Sequence, residues 1–162
     1  KALVDAVSDI EGVAVFNLYE LSQEIAFNID EWSKIISDAS AVIYQFPFYW
    51  MSAPSLLKKW QDEVFTFLSK TPAVAGKPLT VVTTTGSEYE AYRSGGRNRF
   101  TTDELLRPYQ VSAIHSGMSW QTPIVVYGMG TADAGKNIAE GANLYKQRVE
   151  MLIGNSNAGN NW

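Results

Sequence analysis

Phe48, Tyr49 and Trp50 stand in a row, behind Pro47 and ahead of Met51. Large uncharged side chains in one short loop suit a flat, mostly apolar, aromatic ligand. No charged residue occurs between Gln45 and Pro54. The flanking segments say what holds the loop. Ala41-Val42-Ile43-Tyr44 is an apolar run rich in β-branched and aromatic residues, as in a buried central strand. Leu56, Leu57, Trp60, Val64 and Phe65 recur at helical spacing, and Pro54 suits a first helical turn. A strand therefore feeds the aromatic loop, and the loop feeds a helix. Ligands of open α/β sheets bind beyond the carboxyl ends of the strands, where this loop falls.

The 162 residues are enough for one domain with a substantial core. A formal net charge of −4 and the lack of any Lys or Arg run argue against a nucleic-acid partner. No cysteine is present, which excludes disulfides and thiol catalysis. With a lone histidine, His115, a metal site is not expected, and that histidine reads as structural. No apolar stretch approaches the ~20 residues that cross a bilayer, and no signal peptide is visible.

Along the chain, Leu3, Ala6, Val7 and Ile10 have helical spacing, and Gly12 suits a C-cap. Residues 13–18 read as a strand, and residues 30–40 as a helix with Trp32, Ile35 and Ile36 inward. A connector dense in turn residues, 70–78, leads to a strand at Leu79–Thr84. Thr101 and Glu104 form a capping box, and Pro108 interrupts or restarts the helix that comes next. Residues 123–127 give the last strand. Ile138, Ala142, Tyr145, Val149 and Leu152 mark a one-faced closing helix, and an Asn- and Gly-rich tail, 154–162, should fray. Strands alternate with helices, so a parallel sheet covered on both faces is expected.

Phe46-Pro47-Phe48-Tyr49-Trp50, Pro54, Leu56-Leu57-Lys58, Trp60 and Val64-Phe65 together resemble the NAD(P)H:quinone oxidoreductases of the flavodoxin-like superfamily. The nearest pattern is the bacterial branch that includes ancillary proteins of glutathione-gated potassium efflux. The resemblance continues through Gly95–Thr101 and Leu106-Arg107-Pro108-Tyr109. It implies a single flavodoxin-like domain over 1–162, a three-layer α/β sandwich on a five-stranded parallel sheet of order 2-1-3-4-5. It also implies that a first strand and its phosphate-binding loop, about 15–20 residues, precede Lys1. Many relatives have a longer Gly- and Tyr-containing lid where this chain has the short connector 67–77.

For the site, the resemblance implies FMN, favoured over FAD by the size of the bacterial branch. The loop at Pro47, Phe48, Tyr49, Trp50 and Met51 would offer backbone donors to O4 and N5 and side chains to the ring. Thr84-Thr85-Gly86-Ser87 matches the T-T-G-G that meets the pyrimidine edge, with Ser87 departing from the second glycine. Gly86 could supply a positive φ or a close backbone approach. Tyr92 lies where eukaryotic relatives carry a tyrosine implicated in proton delivery. Tyr89 is the alternative, and either reads as a pocket wall before an essential acid, because hydride transfer itself needs no side-chain base. The partner histidine of that relay falls near Asn98, so the relay is not intact. Arg93, Arg97 and Arg99 are candidates for the 2′-phosphate of NADPH, or belong to a solvated loop.

The implied activity is ping-pong hydride transfer from NADPH or NADH through FMN to a quinone-like acceptor. A cytoplasmic homodimer is implied too, with its contact near Tyr49 and the face at 65–68. The alternative is a flavin-binding regulatory subunit of a potassium efflux transporter, peripheral at the inner face of the membrane. A one-electron flavodoxin carrier suits the aromatic loop less well.

Overall fold

All of β2 (Pro78–Thr84) is buried except its last residue, because strands flank both its edges and helices cover both its faces. Pro78 opens the strand, where its missing donor is tolerated. The computed structural model describes residues 1–21 and 26–158. On one edge of β2 lies β1 (Val42–Pro47), parallel and in register from Val42–Leu79 to Pro47–Thr84. On the other edge lie two short parallel strands. β3 (Ser119–Trp120) pairs with Pro78–Leu79, and β4 (Ile124–Val126) pairs with residues 82–84. Between them the chain bulges through Pro123, and the Thr80 hydroxyl donates to the Thr122 carbonyl at 3.1 Å.

The described residues thus form four strands, not the five expected. Residues 13–17 are irregular, and a short helix, α2 (Leu18–Leu21), comes after them. Their strand-like composition is overridden because a strand needs a neighbouring ladder. In the order 2-1-3-4-5 the second strand pairs only with the first, and no described residue supplies one. Val15 and Phe16 are accordingly exposed.

One face of the sheet, with Tyr44, Phe46, Leu79 and Val81, packs against Trp32, Trp60 and Tyr109. Trp32 and Ile36 are the inward residues of α3 (Ile29–Asp38), whose N-cap Asn28 accepts from Asp30 N–H and Glu31 N–H. Lys77 Nζ caps the other end of α3, donating to the Ile36 and Ser37 carbonyls at 2.6 and 2.8 Å. Trp60 ends α4 (Ser55–Trp60), which continues through a π-helical turn (Gln61–Phe65) into α5 (Thr66–Leu68). Trp60, Val64, Phe65 and Leu68 are all buried along it. Tyr109 lies on α7 (Arg107–His115), preceded by α6 (Thr102–Leu105) with its Thr101–Glu104 capping box. Pro108 sits in the first turn of α7, where its missing N–H is tolerated.

The opposite face, with Val82, Ile124 and Val126, meets Leu3 and Val7 from α1 (Ala2–Asp5) and its adjoining turn, and Tyr145 and Val149 from α8 (Ala134–Asn157). α1 ends well before Gly12, whose positive φ of 88° serves a turn and not a cap. α8 runs on to Asn157, past Gly154 where the composition points to fraying. Residues 159–162 of the expected tail lie outside the described residues. His115, read as structural, is the last residue of α7 and is exposed.

Candidate active site

At the carboxyl end of β1, Tyr49 N–H donates to Ser52 O at 2.9 Å and Ser52 N–H returns the bond to Tyr49 O at 3.0 Å. The two residues between them, Trp50 and Met51, have φ values of 47° and 63°. Positive φ at both central positions is the geometry of a type I′ turn, normally made by Asn-Gly. For a residue with a Cβ that region costs about 1–2 kcal/mol. The strain sits at the sheet edge where ligands bind. It thrusts the Trp50 ring into solvent at 98% exposure, flanked by exposed Tyr49 and Met51.

Three loops are laced together behind this turn. Phe48 N–H donates to Thr84 O at 2.9 Å, tying the β1 loop to that after β2. The loop after β4 then donates three times to the β2 loop: Gly128 N–H to Ser87 O, Met129 N–H to Thr85 O and Gly130 N–H to Gly86 O, at 2.8–2.9 Å. Among the described residues, the backbone N–H groups of Trp50, Met51, Gly86 and Ser87 have no acceptor. A strained aromatic turn thus stands near unpaired backbone donors, a set that fits a flat ring with an oxygen- and nitrogen-bearing edge.

The expected residues play unequal parts. Pro47 ends β1 and sets up the loop. Phe48 is buried against Tyr92, ring centroids 6.2 Å apart, so it supports the loop and does not present a face to a ligand. Thr84 closes β2. The Thr85 side chain is buried and donates to Ser87 O at 2.8 Å. Gly86 has no positive φ; the close approach belongs to Gly130, whose added Cβ would lie 3.0 Å from Gly86 O. Ser87 Oγ accepts from Arg97 Nη2 at 2.6 Å, which ties that arginine to the loop.

Tyr92 and Tyr89 belong to one 3₁₀ turn, Tyr89–Tyr92, but differ in access. Tyr92 is buried between Phe48 and Tyr127, while Tyr89 is half exposed, 5.3 Å from the Tyr127 ring and under the Arg93 guanidinium. Sequence reasoning passes over Tyr127, although it stands just past the last strand at its carboxyl end, the position that points to ligands. Its hydroxyl shares a 2.6 Å hydrogen bond with Thr102 Oγ1. Burial pushes its phenol up, against the pull of that hydrogen bond. A cleft of about 670 Å³ opens beside these rings, lined by Tyr89, Tyr92, Arg93, Tyr127 and Arg148 among others. None of the residues of the strained turn lines it.

A family model described as a flavodoxin-like fold matches residues 1–149. General stress protein 14 of Bacillus subtilis is 34% identical over 93% of this chain and 88% of its own length. An uncharacterized NAD(P)H oxidoreductase, YdeQ, of the same organism is also 34% identical, over 94% and 79%. The glutathione-regulated potassium-efflux ancillary protein KefG of Serratia proteamaculans is 34% identical over 78% and 72%. Among solved structures, the general stress protein 14 of Treponema denticola in complex with FMN has a TM-score of 0.84 at 26% identity, covering 93% of this chain and 88% of that one. A structure described as a thermophilic tryptophan halogenase from Streptomycin violaceusniger has the same TM-score at 35% identity, covering 91% and 88%. An NADPH-quinone reductase from P. pentosaceus has a TM-score of 0.75 at 27% identity, covering 91% and 86%. With a family model over most of its length and relatives a third identical, the chain belongs to the flavodoxin-like fold family, in the branch of NAD(P)H oxidoreductases and potassium-efflux ancillary proteins.

Proposed function

We propose that this protein is an FMN-dependent NAD(P)H oxidoreductase that delivers two electrons to a quinone-like acceptor in a ping-pong cycle. The observation that carries the reading is the Tyr49–Ser52 turn. It holds two side chains in an unfavourable backbone region to expose an aromatic face beside unpaired backbone donors. Bound FMN supplies the two-electron relay, so no side-chain base is needed for hydride transfer itself. Trp50 and Met51 offer N–H groups to the ring's polar edge, with Tyr49 and Trp50 beside its face. Gly86 and Ser87 meet the pyrimidine end. Tyr92 walls the site through Phe48 and Tyr127, and Tyr89 is the more accessible phenol.

Similarity to an NAD(P)H oxidoreductase, to an NADPH-quinone reductase and to an FMN complex supports this reading. The test is anaerobic mixing of the flavin-loaded protein with NADPH or NADH, then with a quinone. Bleaching of the flavin absorbance by a nicotinamide and its return with quinone are expected. A flavin left oxidised by both nicotinamides would defeat the proposal.

Similarity to the potassium-efflux ancillary protein favours a second reading, a flavoprotein docked on a transporter at the inner face of the membrane. No helix among the described residues is long and apolar enough to cross a membrane, so docking would be peripheral. Co-purification with an efflux transporter, and not with an unrelated membrane protein, would support it. We further infer a cytoplasmic homodimer joined near Tyr49 and the face at 65–68; Phe65 and Leu68 of that face are buried, which leaves Tyr49 and Phe67 exposed for the contact. A monomeric mass by light scattering would refute the dimer.

A further inference from the structure

We propose that Tyr109 is a positioning residue that clamps the strained Tyr49–Ser52 turn from across the fold. The turn contains no glycine, so local preference works against it. Its mutual Tyr49–Ser52 bonds close the turn but do not fix it to the sheet. Among the described residues, the hydrogen bonds from 49–53 to another element all end on one atom, the Tyr109 hydroxyl oxygen. Ala53 N–H donates to it at 3.1 Å, and Ser52 Oγ lies 3.3 Å away.

The hydroxyl is itself well held. Tyr109 is buried on α7, with its ring 5.3 Å from that of Phe46 and 6.5 Å from that of Tyr44, both on β1. The clamp therefore references the turn to the strand that feeds it, through a helix more than fifty residues away in sequence. One phenol oxygen accepts from the backbone on the downstream side, while Phe48 N–H to Thr84 O secures the upstream side. The span between these two anchors carries the strained residues and the two unpaired donors. Losing the downstream anchor lets Trp50 and Met51 relax out of positive φ, and their N–H groups swing away from the ligand side.

The functional half of this inference rests on the flavin reading, so the experiment has two arms. Tyr109→Phe keeps the ring packing and removes only the hydroxyl. Amide hydrogen exchange in the full-length protein, without flavin, should quicken at Tyr49, Ser52 and Ala53 by roughly 3–10-fold, the size of one hydrogen bond, with the melting temperature nearly unchanged. FMN affinity by fluorescence titration should fall by a similar factor. Ser52→Ala, which spares the Ala53 bond, should have the smaller effect in both arms. Unchanged exchange at 49–53 would overturn the clamp. Faster exchange with unchanged FMN affinity would overturn its role in the site. A wild-type protein that refuses FMN would sink the flavin reading alone, leaving the clamp to be judged by exchange.

Discussion

Gly130 donates its N–H to the Gly86 carbonyl at 2.8 Å, and a Cβ on Gly130 would stand 3.0 Å from that same oxygen. The contact is backbone against backbone, so it cannot be relieved by rotating a side chain. Gly130→Ala must push the two loops apart by a few tenths of an ångström, moving the donors of Gly86 and Ser87. We expect FMN affinity to fall about tenfold while stability drops by only about 1 kcal/mol. Gly135→Ala is the matched control. Its Cβ meets nothing within 4 Å and its backbone needs no positive φ. Equal FMN affinity in the two variants would show that the loop contact does not set the site.

Trp50 sets stability against function. Its ring is solvated and its backbone strained, so Trp50→Gly removes no packing and relieves the positive φ. Glycine's extra freedom in the unfolded chain offsets part of the gain. The expected result is a net stabilisation of about 0.5–1 kcal/mol by chemical denaturation. FMN binding should weaken at the same time, because the aromatic face is gone. A variant both less stable and unaltered in FMN binding would contradict both halves.

The sequence makes much of this legible where the cause is local. The Thr101–Glu104 capping box needs only residues three apart, and it is present as expected. The strand before Pro47 and the helix after Pro54 come from period and punctuation. Residues 13–17 mislead because composition cannot report whether a neighbouring strand exists. β3 escapes because two residues, Ser119 and Trp120, carry no period. The strained turn is invisible for another reason: Trp-Met has no sequence signature of positive φ, and the tyrosine that steadies it lies on a distant helix. Tyr127 is legible from position alone, as the residue just past the carboxyl end of the last strand.

Gly141 marks where α8 presses hardest on the sheet. A Cβ there would fall 2.2 Å from Val126 Cγ2 and 3.1 Å from Cγ1, and a β-branched valine in a strand has little freedom to turn away. Gly141→Ala should cost about 1–3 kcal/mol by overpacking, despite alanine's better helix propensity. Val126→Ala alone also destabilises, by opening a cavity. Together they should be less harmful than their sum, and a double-mutant cycle in urea would measure that coupling. Simple additivity would place the strain elsewhere.

Tyr89 and Tyr92 separate a chemical role from a packing one. Because hydride transfer needs no side-chain acid, Tyr89→Phe and Tyr92→Phe should each change kcat by less than about threefold and leave the pH profile in place. Tyr92→Ala is different. It removes a buried ring packed on Phe48 and Tyr127, which should cost about 3 kcal/mol and loosen the loop. A hundredfold fall in kcat for Tyr92→Phe, with stability kept, would instead make that phenol a proton donor.

Tyr145 is one of three phenols, with Tyr44 and Tyr127, whose burial sets an alkaline limit to the fold. Burial pushes its phenol up to about 12, above the ~10 of an unfolded chain. The folded state therefore holds its proton at pH values where the unfolded chain has already released it. This contribution to stability is complete below about pH 10 and is lost as the pH climbs from there through about 12. Burial acts on the Tyr127 phenol with the same sign. Tyr145→Phe keeps the ring against Val82 and Val149 and deletes the titration. Melting temperature tracked from about pH 8 to about pH 12 should fall less steeply for the variant, with the two curves diverging only above about pH 10. Parallel curves over that whole range would mean that Tyr145 does not govern the alkaline transition.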